Sequence, residues 1–221
     1  MKRTLLQFDC FLVLPFLFSL LSAHFGCSTF SRVTPSDQTE PSGFLGDEKE
    51  YADLKPSPAG ALVSFKKPGI LKTYDAFFVE QIVVYGQDKG SLVPASSNEL
   101  DELAHSLRDK IIRALGSRHT MFNQPARNVA ILRVAITNVW SNNTLTNLRP
   151  GLIIPNVLEG GASMEALVID SVSGQEVAKI ADSRPGKRQG FMSGLTRWGG
   201  TEAAFDDWSM LLNRSIRQGS M

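Results

Sequence analysis

Cysteine is scarce in this chain, with two in 221 residues, Cys10 and Cys27. Cys10 sits inside an apolar N-terminal run. Removal of that run would leave one thiol, which excludes an internal disulfide and a cysteine-based zinc site. Histidine is nearly as scarce, at His24, His105 and His119, and no HExxH-like spacing pairs any of them as metal ligands. His105 and His119 are therefore expected to be ordinary surface residues. No G-x-S-x-G elbow and no P-loop occurs, so the common nucleophile and nucleotide signatures are missing. Glu165 and Asp170 lie five residues apart on an expected strand, hence on opposite faces, a poor arrangement for a catalytic carboxylate pair. No residue is assigned a catalytic, cofactor-binding or metal-binding role. The expectation is a protein that is not an enzyme.

An excess of charge of one sign is also missing. The chain has 23 basic and 22 acidic side chains, and loss of residues 1–26 with Lys2, Arg3 and Asp9 leaves 21 of each. A balanced chain lacks the concentrated positive field that nucleic acid demands. At 43% hydrophobic and 20% charged, the composition is that of one globular domain with an appended terminus.

No apolar run reaches the length of a membrane span. The longest, "FLVLPFLFSLL" at 11–21, is broken by Pro15 and preceded by Asp9. Basic Lys2 and Arg3, this run, and small residues Ser22, Ala23 and Gly26 make residues 1–26 a secretory signal. Cys27 follows at once, between Gly26 and Ser28. That is the arrangement of a bacterial lipoprotein signal, in which the thiol takes a diacylglycerol and the freed amine takes an acyl chain such as palmitate. His24 and Phe25 depart from it, where Leu and a small residue are usual. Two other readings share these residues: ordinary cleavage leaving a free thiol, and an uncleaved anchor. Residues 27–42, with "STFSRVTPSDQTEPS" after the cysteine, have the Ser, Thr, Pro and charge content of a flexible tether.

Residues 43–221 are expected to form one α/β (α+β) domain. Strands are predicted at Ala61–Phe65, at 76–85 and at 128–140, where Ala130, Leu132, Val134 and Ile136 share one face and Arg133 and Thr137 the other. "MEALVIDSVSGQEVAKIADSR" predicts a β-hairpin about Gly174. One helix begins at the capping box of Ser96 and Glu99 and ends near Gly116; a second carries Ala204, Phe205, Trp208, Leu211, Leu212 and Ile216 on one face, with Thr201 as cap. The order β-β-α-β-β-β-α predicts a two-layer sandwich, a mixed five-stranded sheet with both helices on one face. The strands at 76–85 and 128–140 should be parallel neighbours. Gly160-Gly161 and Gly199-Gly200 read as turns.

One basic cluster stands out, "SRPGKRQGFMSGLTRWGG", with Arg184, Lys187, Arg188 and Arg197 as a possible contact for anions or a membrane surface. Exposed Phe191, Met192 or Trp198 would strengthen that reading.

"SGFLGD" at 42–47, "PAGALV" at 58–63, "RVAITNV" at 133–139, the hairpin segment at 164–184 and "AAFDDWSMLL" at 203–212 together resemble the bacterial lipoprotein family called domain of unknown function 3313. The resemblance implies an exported protein, lipid-anchored on the periplasmic side of the Gram-negative outer membrane, and supplies no catalytic residues. The expected partners are the membrane, through acyl chains on Cys27, and an envelope protein or glycolipid. The expected role is a binding or assembly module. The alternatives are an envelope hydrolase, an accessory subunit of an envelope or secretion complex, and a soluble periplasmic protein.

Overall fold

Alternating apolar side chains along residues 129–140 build the centre of the fold. In this computed structural model, residues 41–85, 95–142, 160–186 and 196–218 are described. The signal at 1–26, Cys27, the tether as far as residue 40, Lys187, Arg188, Phe191 and Met192 lie outside the described residues.

The strands are β1 (Lys55–Pro56), β2 (Leu62–Phe65), β3 (Ala76–Val79), β4 (Val83–Val84), β5 (Thr120–Phe122), β6 (Val129–Trp140), β7 (Gly161–Asp170) and β8 (Glu176–Pro185). They form one mixed sheet in the order β1-β2-β8-β7-β6-β3-β5, with β4 also on β6. β3 and β6 are parallel neighbours, and β7 and β8 form the hairpin, with Gly174 at φ +69° in its turn.

The sheet has eight strands among the described residues where five were expected. β1 and β5 contain two and three residues, too few for an alternating pattern to show. The expected strand at 76–85 divides. Val79 pairs with Leu132 and Val83 with Ala135, so four steps on one strand match three on the other. That extra residue breaks the ladder as a bulge does.

Helices α2 (Ser97–Gly116) and α3 (Gly199–Gln218) share one face of the sheet. Leu103, Leu107, Ile111 and Leu115 of α2 meet Phe205, Trp208 and Leu212 of α3, and both sets pack on Leu132, Val134, Ile136, Met164 and Ile180. The spacing of these residues is why helices form here: each builds an apolar stripe that needs a sheet beneath it. The Ser96 hydroxyl accepts from the Glu99 amide (3.3 Å), and the Glu99 carboxylate accepts from the Ser96 amide (2.8 Å), so the predicted capping box forms. Thr201 is not a cap. It lies inside α3, and its hydroxyl donates to the Gly161 carbonyl at 3.0 Å, tying helix to sheet.

The opposite face is not left bare. Residues 42–54, including the short helix α1 (Glu48–Ala52), lie on it. Leu45 and Leu54, with half-buried Phe44 and Tyr51, cover Leu167, Ile169 and Ala181. The expected two-layer sandwich therefore gains a partial third layer. Thr137, expected on an open face, is buried, and Arg133 forms a two-pronged ion pair with Glu80 (2.7 and 3.2 Å).

Candidate functional site

Two carboxylates are fully buried in neighbouring strands, Glu165 on β7 and Asp182 on β8. Glu165 pairs with Ala181, and Asp182 pairs with Met164, so the two acids point to opposite faces. Burying a carboxylate is costly unless hydrogen bonds surround it, so each must be read through its partners.

Glu165 faces the N-terminal layer. It accepts from the Ser42 amide (3.2 Å), the Ser42 hydroxyl (2.8 Å) and the Tyr51 hydroxyl (2.7 Å). The same Tyr51 oxygen accepts from the amides of Gly43 (2.8 Å) and Leu45 (3.3 Å). One acid thus fixes the entry of the chain into the fold. Ser42, the last residue of the expected tether, already belongs to the packed layer.

Asp182 faces the helices. Its Oδ2 accepts from the Trp208 indole (2.8 Å) and from Arg184 Nε (2.6 Å). Burial pushes its carboxyl above the ordinary 3.8, while Arg184, the Trp208 indole and the Ser183 amide pull the other way. Trp208 is wholly buried, so this triad locks α3 onto β8. Neither acid shares a cleft with the other, and no group of three His, Cys, Asp or Glu that could hold a metal occurs among the described residues.

At the end of the sheet where α2 and α3 begin, Glu99 joins the two helices. Its Oε1 accepts from Arg197 Nη1 (2.8 Å) and from the Trp198 indole (3.0 Å), and the Arg197 guanidinium lies 4.6 Å over the Trp198 ring. The Ser96 amide first, then Trp198, hold the Glu99 carboxyl down at about 2. Beside it lie glycines that were expected as turns but belong to regular elements, Gly161 to β7 and Gly199 and Gly200 to α3. A Cβ on Gly200 would stand 2.4 Å from the Gly160 carbonyl oxygen, and one on Gly186 would stand 1.9 Å from that of Gly200. The start of α3 touches the sheet backbone to backbone, which only glycine permits.

Of the basic cluster, Arg184 and Arg197 are described, and both are engaged with carboxylates, Asp182 and Glu99. Trp198 is half-buried rather than exposed. His119 is half-buried, edge-on to Phe77 at 5.1 Å, and His105 is exposed. Trp140 packs at the sheet end, where a Cβ on Gly161 would meet its ring at 2.4 Å. Sequence reasoning passed over Asp182 and took Glu165 only as half of an unlikely pair. The available signal was Glu165 inside the otherwise apolar run of β7 up to Ile169; β8 also carries Glu176, Lys179 and Arg184, so nothing in its pattern singles out Asp182.

The chain belongs to the family described as Protein of unknown function (DUF3313), whose model matches residues 40–212. No curated protein matches it. Among solved structures it is similar to the PelC dodecamer from Paraburkholderia phytofirmans, at 15% identity and TM-score 0.42, over 72% of this chain and 97% of that one. It is also similar to a Xanthomonas campestris protein assigned to family model DUF330, at 11% identity and TM-score 0.41, over 67% and 87%. A neuraminyllactose-binding hemagglutinin homolog from Helicobacter pylori matches at 11% identity and TM-score 0.34, over 69% and 86%. No described helix is long and apolar enough to cross a membrane.

Proposed function

We propose that this chain is an envelope lipoprotein, anchored through acyl chains on Cys27 to the periplasmic side of the outer membrane, working as a binding or assembly module without catalysis. The observation that carries the anchor is Cys27 directly after Gly26, with Ser22 and Ala23 upstream, behind an apolar core too short to span a bilayer. Ser28 after the cysteine lacks the acidic character of an inner-membrane retention signal, which supports the outer membrane. Two or more acyl chains hold stably where one is marginal. Residues 28–42, by their Ser, Thr, Pro and charge content, supply a tether with a reach of roughly 20 Å that ends at Ser42, fastened to Glu165.

The absence of catalysis is supported by how the buried acids are used. Glu165 is committed to the N-terminal layer and Asp182 to Trp208 and Arg184, so neither is offered to a substrate. The test is processing in the native host. Cys27→Ser should accumulate as the full-length precursor, because the lipoprotein peptidase cuts only after the thiol is acylated. Normal cleavage of Cys27→Ser would make the protein soluble and periplasmic.

A further inference from the structure

The end of the sheet where α2 finishes carries a different charge pattern from the end where it starts. Two cations described near the start are occupied: Arg197 by Glu99 and Arg184 by Asp182. At the opposite end lie Lys66 and Lys67 after β2, Lys72 before β3, Arg118 before β5 and Arg127 before β6. All five are exposed and none forms an ion pair among the described residues, the Lys66 ammonium donating to the neutral Gln175 side chain. Their common placement follows from strand register. Thr120 pairs with Ala76 and Ala76 with Val129, so the lead-ins to β5, β3 and β6 emerge together, and the Lys66 amide bonds to Val177 at the start of β8.

The acids at this end are largely spent. Glu176 pairs with Lys179 at 2.9 Å. Asp170 closes the hairpin turn by accepting from the amides of Val172 and Ser173 and from the Tyr74 hydroxyl. Asp75, exposed, takes the Asn128 amide at 3.2 Å. In that same turn stands Val172, 69% exposed and the most exposed large hydrophobic side chain among the described residues. An apolar tip flanked by cations that no described carboxylate pairs with matches a membrane surface, with headgroup phosphates for the cations and the interface for the valine.

We infer that this end of the domain, with Lys66, Lys67, Lys72, Arg118 and Arg127 around Val172, docks on an anionic phospholipid surface. The inference rests on the envelope reading above and gives it an orientation: the domain stands end-on to the bilayer that holds its anchor. Attraction of this kind is screened within about 10 Å at 0.1 M salt and about 3 Å at 1 M, so it adds to the anchor at physiological salt and disappears in high salt.

The described residues, from 41 to 218, all fall within one compact unit. That piece, without Cys27, is floated with vesicles of phosphatidylcholine alone and with vesicles that also contain phosphatidylglycerol. Binding is expected only with phosphatidylglycerol, lost at 1 M salt, and weakened about 25-fold by Arg118→Ala with Arg127→Ala, at about fivefold per cation. The pair Lys49→Ala with Lys55→Ala, in α1 and β1, should leave it unchanged. Should the arginine pair misfold by circular dichroism, Lys66→Ala with Lys67→Ala replaces it. Equal loss with the two sets, equal binding to neutral vesicles, or tighter binding to heparin than to vesicles would overturn the inference. Because this piece lacks Cys27, failure here leaves acylation standing, and absence of acylation leaves this result standing.

Discussion

Ser42 and Glu165 are 123 residues apart in sequence, and the Ser42 hydroxyl donates to the Glu165 carboxylate at 2.8 Å. With the Ser42 amide and the Tyr51 hydroxyl, it surrounds a fully buried charge. Hydrogen bonds to a charged group contribute about 1.5–3 kcal/mol each, and a buried acceptor stripped of donors costs more than the bond itself. Tyr51→Phe should therefore lower unfolding free energy by about 2 kcal/mol in urea titration. Glu165→Ala should lower it by about 3 kcal/mol or more and loosen residues 42–54 to proteolysis before the sheet itself opens. Resistance of that segment in Glu165→Ala would show that Leu45 and Leu54 hold it without the acid.

The triad of Asp182, Arg184 and Trp208 predicts an asymmetry. Arg184→Met leaves a buried carboxylate without its cation, a loss of about 3–5 kcal/mol. Asp182→Asn with Arg184→Met together removes both charges and should recover much of that. A double variant no better than Arg184→Met would mean that the damage lies in packing, not in charge.

Acid titration separates two groups of opposite sign. Asp182 has its folded-state pKa raised by burial above 3.8, so the folded chain holds that proton more tightly, and stability falls as pH rises from 3.8 through the raised value. Glu99 is lowered from 4.5 to about 2, so its contribution is complete above 4.5 and lost as pH falls towards 2. Melting curves between pH 2 and about 6 should show Asp182→Asn without the first trend and Glu99→Gln without the second. Curves parallel to the parent for both variants would contradict these environments.

The glycine contact predicts an abrupt failure. Gly200→Ala places a methyl 2.4 Å from the Gly160 carbonyl oxygen, backbone against backbone, where no side chain can yield. A loss of about 4 kcal/mol or more is expected, from a backbone-to-backbone clash that cannot relax. A stable Gly200→Ala protein would show that α3 can slide along the sheet end.

What the sequence revealed is local periodicity. The capping box of Ser96 and Glu99, the stripes of α2 and α3, the alternation of β6 and the turn at Gly174 were all legible because each depends on residues within a turn or strand of one another. β1 and β5 are too short to carry a period, and they form because β2 and β3 offer them an edge. The pairings of Ser42 with Glu165 and of Trp208 with Asp182 depend on tertiary placement alone. The glycines near 160 and 200 read as turns because close approach needs a second backbone that the sequence does not display. Cationic character at 184–197 was visible, but the carboxylates that occupy Arg184 and Arg197 were not.

The lipid anchor depends on Cys27, and the intact mass of the mature N-terminal peptide from the membrane fraction tests it directly. The expected result is a peptide beginning at Cys27-Ser28 that carries a diacylglycerol and a further acyl chain. A peptide with an unmodified thiol, or one still holding residues 1–26, would contradict the lipid anchor and leave a soluble or helix-anchored protein in its place.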